Sequence, residues 1–157
     1  MSQILTSESE KFLNQLPEGP YDEIVEDFMG GKLREKGTIM NGKRNGPFSI
    51  YGEDGRLLDK GTYKDGKKHG TVTSYWKDGT LSEITNFVNG DQYGEFRSYY
   101  LSGKLRQQGE NSHSAASGHW SECYTEDGIL LRRFEEGQEV FRHENEKELD
   151  PGTPYEI

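Results

Sequence analysis

The side chains with which this chain could do chemistry are four histidines, His69, His113, His119 and His143, and one cysteine, Cys123. His113, His119 and Cys123 lie close together in the sequence. A Cys/His metal site or a Cys–His nucleophile pair would draw on these residue types. The spacing His113-x5-His119-x3-Cys123 contains neither a C-x2-C nor an H-x3-H half-site, and no third group follows that would orient a base. Glu135-Glu136 and the carboxylates of the last residues form a charge run, not a positioned acid–base pair. No glycine-rich loop opens a helix, so a phosphate cradle of the P-loop kind is not expected. The inventory implies no catalytic residue, no metal and no cofactor, and it points away from an enzyme.

The order around these residues is a repeat. Glycines open successive units at Gly31, Gly55, Gly79, Gly103 and Gly128, at steps of 24, 24, 24 and 25 residues. A leucine follows two positions later (Leu33, Leu57, Leu81, Leu105, Leu130), and a second glycine falls at Gly46, Gly70, Gly94 and Gly118. A large apolar residue (Phe48, Val72, Phe96, Trp120) and a tyrosine (Tyr51, Tyr75, Tyr99, Tyr124) close each unit. A fixed period of this length is the signature of a solenoid, in which each unit buries its face on its neighbours.

Within a unit the grammar is β. Leu57 to Lys64 alternates with period two, which predicts Leu57 and Tyr63 on one face and the lysines largely on the other. Asn41-Gly42, Asp65-Gly66 and Asn89-Gly90 supply hairpin turns able to take positive φ. Asp54-Gly55, Asp78-Gly79 and Asp127-Gly128 turn into the next unit. The predicted fold is all-β: a single-layer antiparallel meander of stacked β-hairpins, a solenoid with a repeat of 24 residues, preceded by a short N-terminal capping helix. That helix would run from Ser7, with Glu10 completing a capping box, through Phe12, Leu13 and Leu16 to Pro17. Tyr21 to Met29 reads as a strand or extended connection. The organisation expected is a capping segment over residues 1–29, a repeat array of about 4.5 hairpin units over residues 30–143, and an acidic tail over residues 144–157. The fourth unit departs from the rule. Ser114 stands where a turn glycine belongs, Asn111 replaces Ile39, Tyr63 and Phe87, and one extra residue, placed between Trp120 and Tyr124, reads as a bulge.

Composition bounds the partners. Hydrophobic residues make up only 30% and mean hydropathy is −0.99, which a thin solenoid tolerates and a sphere would not. The net charge of −9 is unevenly placed: −6 over residues 1–29, +4 over residues 30–112 and −7 over residues 113–157. Acidic ends around a mildly basic middle argue against nucleic-acid binding and weaken attraction to anionic lipid. A lone cysteine precludes an internal disulfide and fits a reducing compartment, and no stretch reads as a targeting segment or a membrane span. The expected location is the cytoplasm.

The segments Tyr63 to Leu81 (YKDGKKHGTVTSYWKDGTL) and Asn41 to Leu57 (NGKRNGPFSIYGEDGRL) resemble the MORN-repeat variant, in which G-K-x-x-G-x-[aromatic or apolar]-x-x-Y-x-x-x-G-x-L recurs. The resemblance spans roughly residues 31–130. It implies a MORN-like hairpin array with a binding role, and it brings no catalytic residue. Bacterial proteins of this kind are often labelled antitoxins of the YwqK type, partners of secreted toxins, while related arrays associate with membrane lipid or act as scaffolds. The function expected is a non-catalytic protein-binding module of the antitoxin or immunity type, meeting a partner toxin with a basic surface. The alternative is a scaffold or membrane-peripheral protein reading anionic lipid through Lys43, Arg44, Lys67 and Lys68. Candidate partner-binding residues are those at repeat-variable tip positions, Arg44, Asn45, Lys68, His69, Gln92 and Tyr93, together with His113 in the irregular loop. His69 takes a position filled by Asn45, Tyr93 and Ser117 elsewhere and reads as a solvent residue. Leu57, Leu81, Tyr75, Phe96 and Tyr99 read as structural ladder residues.

Overall fold

The computed structural model describes residues 23–29, 32–111 and 120–145. They form one antiparallel sheet: β1 (Glu23–Met29), β2 (Lys32–Met40), β3 (Lys43–Tyr51), β4 (Leu57–Lys64), β5 (Lys67–Lys68), β6 (Gly70–Tyr75), β7 (Leu81–Val88), β8 (Asp91–Tyr99), β9 (Leu105–Asn111), β10 (Trp120–Tyr124), β11 (Leu130–Glu135) and β12 (Gln138–Arg142). Each strand pairs with its sequence neighbour, and β5 is a two-residue piece beside β4 that β6 continues. The meander expected from the repeat is the observed architecture. The proposed capping helix and the tail after residue 145 lie outside the described residues.

Two kinds of turn build it, as the turn sequences require. At the hairpin tips Asn41-Gly42, Asp65-Gly66 and Asn89-Gly90 take positive φ at both positions, and Glu136-Gly137 does the same. This is the type I′ turn, whose twist matches that of the flanking strands. The linking turns repeat one pattern of bonds. Trp76 N donates to Thr80 O at 2.8 Å and Gly79 N to Trp76 O at 2.8 Å, with the equivalents at Gly52, Tyr100 and Thr125. Asp54 and Asp78 brace the same turn by accepting from the backbone N–H two residues on, at 3.0 and 2.8 Å.

The leucine and tyrosine phases of the sequence are cross-strand partners in every unit: Tyr51↔Leu57, Tyr75↔Leu81, Tyr99↔Leu105 and Tyr124↔Leu130. At each the register shifts by one residue just before the tyrosine. That bulge corrects the face expected for Leu57. Tyr51 follows Ile50 onto the opposite face, and its direct partner Leu57 goes with it, away from Tyr63. The first strand obeys the same rule: Val25 pairs with Gly37, Phe28 pairs with Leu33, and the register shifts between Asp27 and Phe28. β1 is thus the second strand of a degenerate unit preceding Gly31.

A second row explains how one layer buries anything. Large residues face small ones across the strands: Gly37↔Phe48, Phe48↔Gly61, Val72↔Thr85, Thr85↔Phe96 and Phe96↔Gly109. Phe48 is 1% exposed and Val72 4%, although most of the other ladder residues are only half-buried. The ring of Phe48 lies over Gly61, where a Cβ would come within 3.0 Å of Phe48 Cε1 and 2.8 Å of Val72 Cγ2. At Gly109 a Cβ would run into the Trp120 carbonyl oxygen and sit 2.7 Å from Phe96 Cε1.

The extra residue of the fourth unit is placed differently from the expectation. Trp120 to Cys123 pair without interruption with Glu110 to Gln107, so no bulge against β9 lies between Trp120 and Cys123. The only shift there, at Cys123/Tyr124, is the one every unit has. The added residue therefore precedes Trp120, which moves Trp120 out of the row, and Ser121 stands opposite both Gly109 and Phe134. Large and small have exchanged strands: Phe134 now supplies the bulk.

Gly61→Ala should destabilise the chain by about 1–3 kcal/mol through overpacking, and Gly109→Ala by more, because there the obstacle is backbone. Gly37→Ala, where a Cβ meets Phe48 Cβ at an ordinary 3.7 Å, should be close to neutral. Urea melts of the three variants check the order, and equal losses at Gly37 and Gly61 would refute it.

Candidate interaction site

The candidate tip residues are positioned by a third cross-strand row, nearer the hairpin ends. Ile39 pairs with Arg44, Tyr63 with Lys68 and Phe87 with Gln92. The apolar or aromatic member comes from the first strand of each hairpin and the polar head from the second. Arg44 lies with its guanidinium carbon 5.5 Å from the Tyr63 ring centre and donates from both terminal nitrogens to the Glu35 carboxylate, at 3.1 Å for Nη2 to Oε2. Burial opposes its charge, but Glu35 and then Tyr63 outweigh it and hold the Arg44 pKa above its ordinary value. Lys68 Nζ sits 5.4 Å from the Phe87 ring centre and 5.9 Å from that of Phe48. Phe48 and Tyr63 are themselves tilted together at 4.5 Å. The stripe therefore reads, across the sheet, Arg44, Tyr63, Lys68, Phe87, Gln92, with Asn111 Nδ2 reaching Gln92 Oε1 at 3.4 Å.

The backbone beneath is rigidly indexed. Gly66 N donates to Arg44 O at 2.8 Å and Gly90 N to Lys68 O at 2.9 Å, so each tip is bonded to the preceding unit. The chemistry of the stripe changes from unit to unit while its frame does not. Arg44, exposed as the sequence predicts, and Lys68, half-buried, both set their charged heads beside aromatic rings, where the ring quadrupole favours a cation.

Asn45, His69 and Tyr93 occupy the next position, each just before a positive-φ glycine, Gly46, Gly70 or Gly94. They diverge in environment. Asn45 is half-buried and its carbonyl accepts from the Thr38 hydroxyl. His69 is also half-buried: its backbone N–H donates to Thr62 O at 2.9 Å and its side-chain Nδ1 is enclosed by protein. The solvent role expected of His69 from its variable position is therefore incorrect: the residue is half-buried, in the break between β5 and β6. Tyr93 is 46% exposed and Gln92 is exposed beside it. His113 lies outside the described residues. The structure thus brings Arg44, Lys68 and Gln92 into one stripe, and leaves Gln92 and Tyr93 as the neighbouring exposed pair.

Sequence reasoning passed over a second polar cluster, on the paired strands β9, β10 and β11. Glu122 accepts from Arg133 Nε at 2.8 Å and Nη2 at 2.6 Å, from Gln108 Nε2 at 3.2 Å, and from the Tyr124 hydroxyl. The Tyr124 hydroxyl also accepts from Gln108 Nε2 at 3.0 Å. The Tyr124 bond, followed by those from Gln108 and Arg133, holds the Glu122 carboxyl below its usual range against the opposing effect of burial. Burial and then Glu122 push the Tyr124 phenol up. Among the described residues no group of three or more His, Cys, Asp or Glu is arranged to hold a metal ion.

Residues 68–89 and 92–110, which carry the stripe from Lys68 to Gln92, match the family model described as MORN repeat variant. These units are MORN-variant repeats. Repeats of this kind are in general protein- or lipid-binding modules without catalytic machinery. No curated protein matches the chain. Among solved structures it is similar to the "Crystal structure of accessory secretory protein 1,2 and 3 in Streptococcus pneumoniae", at 17% identity and a TM-score of 0.38, over 65% of this chain and 19% of that one. It is also similar to the "Crystal structure of GtfA/B complex bound to UDP and GlcNAc", at 16% identity and a TM-score of 0.28, over 78% of this chain and 25% of that one.

The Glu122 cluster gives a pH prediction. A carboxyl whose folded pKa is lowered contributes stability that is present above its unfolded pKa, about 4.3, and is lost as pH falls through the folded value. Glu122→Gln should therefore be least stable relative to the parent at neutral pH, and the gap should narrow as pH drops below about 4. Thermal melts from neutral to acid pH check this, and a gap constant with pH would contradict it.

Proposed function

We propose that this chain is a protein-binding repeat module of the immunity type, which neutralises a partner protein by covering it with the stripe-bearing face of the array. The observation that carries the reading is the stripe itself: one hydrogen-bonded frame presenting Arg44, Lys68 and Gln92 in turn, with Tyr93 exposed beside the last. Aromatic and arginine side chains on a rigid scaffold are what protein interfaces use as anchors. The acidic ends of the chain, −6 over residues 1–29 and −7 over residues 113–157, favour a toxin with a basic surface and steer its approach.

A lipid-reading scaffold is less well supported. Arg44 and Lys68 spend their charge on Glu35 and on aromatic rings, and the third tip carries Asp91 in place of a lysine. The test is capture of partners by the tagged full chain from its native host, washed at low and then high salt, with vesicles of anionic lipid in parallel. A single stoichiometric protein whose toxicity is relieved by co-expression is the expected result. Retention on vesicles with no protein captured would overturn the proposal. With the partner in hand, the double substitution Gln92→Ala, Tyr93→Ala should weaken binding by roughly tenfold or more, about 1.4 kcal/mol, with the thermal midpoint unchanged.

A further inference from the structure

At the strand ends away from the hairpin tips, the linking turns form a rim in which one gap between turns is bridged and another is open. Arg56 follows Gly55 and reaches across to the next linking turn, where its Nη1 donates to Lys77 O at 2.8 Å. Asp78, beside Lys77, registers that charge: its carboxyl is held below the ordinary range by Thr80 and, more weakly, by Arg56. Two units on, Lys104 follows Gly103, and Glu126 and Asp127 stand where Lys77 and Asp78 do. Lys104 reaches only Asp127 Oδ1, at 3.9 Å, with both side chains largely exposed. Glu126 O takes no hydrogen bond among the described residues. A recess of about 390 Å³ remains, lined by half-buried Leu105 and Tyr124 and by exposed Lys104, Glu126 and Asp127.

We propose that this recess takes an arginine side chain of the protein partner, in the place that Arg56 occupies two units earlier. The proposal rests on the reading of the chain as a protein-binding module, and it adds a second contact at the opposite strand ends from the stripe. Arg56 supplies the chemistry within the chain itself: a guanidinium laid across a gap between linking turns, bonded to the carbonyl of the second turn. Around the open gap stand one lysine and two carboxylates, so the charge balance favours an incoming cation.

The geometry selects arginine over lysine. A planar fork of five N–H donors can bond Glu126 O and a neighbouring carboxylate together, whereas an ammonium is a compact point charge. Lys104 shows the limit, since it meets Asp127 alone. That exposed pair is worth little, so an arriving guanidinium displaces it at small cost. The aliphatic stem would lie along Leu105 and Tyr124, as long cationic side chains do on apolar surface. Leu101, 58% exposed in the same turn as Lys104, offers an apolar contact beside the recess.

Titration of the isotope-labelled full chain with N-acetyl-arginine amide, read by backbone amide shifts, tests the recess without the partner. Saturable shifts confined to Lys104, Leu105 and residues 126–128 are expected, with a Kd of about 1–10 mM. The citrulline analogue, similar in shape but uncharged, should shift none of them below about 50 mM. Lys104→Arg should close the gap from within, as Arg56 does, and weaken binding at least about tenfold. Asp127→Asn should weaken it too, and thermal melts of both variants should match the parent. Shifts that spread over the acidic surface without saturating, equal binding of citrulline, or Lys104→Arg binding as the parent does would each overturn the proposal. A captured partner without these shifts would remove the recess alone, whereas the shifts without any captured protein would remove the protein-binding reading.

Discussion

The structure depends on one packing constraint: a bulky side chain on one strand must lie over a small residue on the next. A sheet one layer thick has no opposing layer to cover its apolar residues, so cover must come from within the sheet. Phe48 achieves near-complete burial because Gly37 and Gly61 flank it, and the ring of Tyr63 and the ammonium of Lys68 close over it. A Cβ on Gly61 would occupy the space the ring uses. The glycine costs conformational entropy, and the burial of a whole aromatic ring offsets that cost.

The same economy governs the stripe. In a globular core Arg44 and Lys68 would be solvated heads over an apolar interior. Here their charged ends complete the cover of Tyr63, Phe87 and Phe48. Arg44 and Lys68, which differ between tips, are therefore also the residues that shield the rings. Inter-unit bonds index the opposite ends of the strands as well, where Trp76 Nε1 donates to Tyr99 O at 3.2 Å and the Tyr100 hydroxyl to Tyr124 O at 2.6 Å, one unit further along. A partner that gripped one unit would find its neighbours already indexed.

Much of this was legible in the residues. Asn-Gly and Asp-Gly pairs specified the tips, because positive φ at two successive positions admits few alternatives. The leucine and tyrosine phases marked positions that prove to be direct partners. What escaped was register. Counting by twos placed Leu57 with Tyr63, since a bulge is a property of a strand pair and not of one strand. The same cause misplaced the extra residue of the fourth unit: Trp120 matched by type, whereas pairing with β9 assigned its place to Ser121. Gly37, Gly61 and Gly109 recur at multiples of the 24-residue step, and that signal was available; their meaning lay in the ring on the neighbouring strand. Glu122, Gln108, Tyr124 and Arg133 had no sequence signature, because three strands bring them together.

The most direct measurement is a double-mutant cycle in urea between Gly61→Ala and Phe48→Leu. If the ring over the glycine is what the sheet depends on, shortening Phe48 makes room for the new methyl, and the penalty at Gly61 should shrink, with a coupling of about 0.5–3 kcal/mol. Strict additivity of the two losses would contradict the account, since it would mean that the ring and the glycine do not share the space on which the packing argument rests.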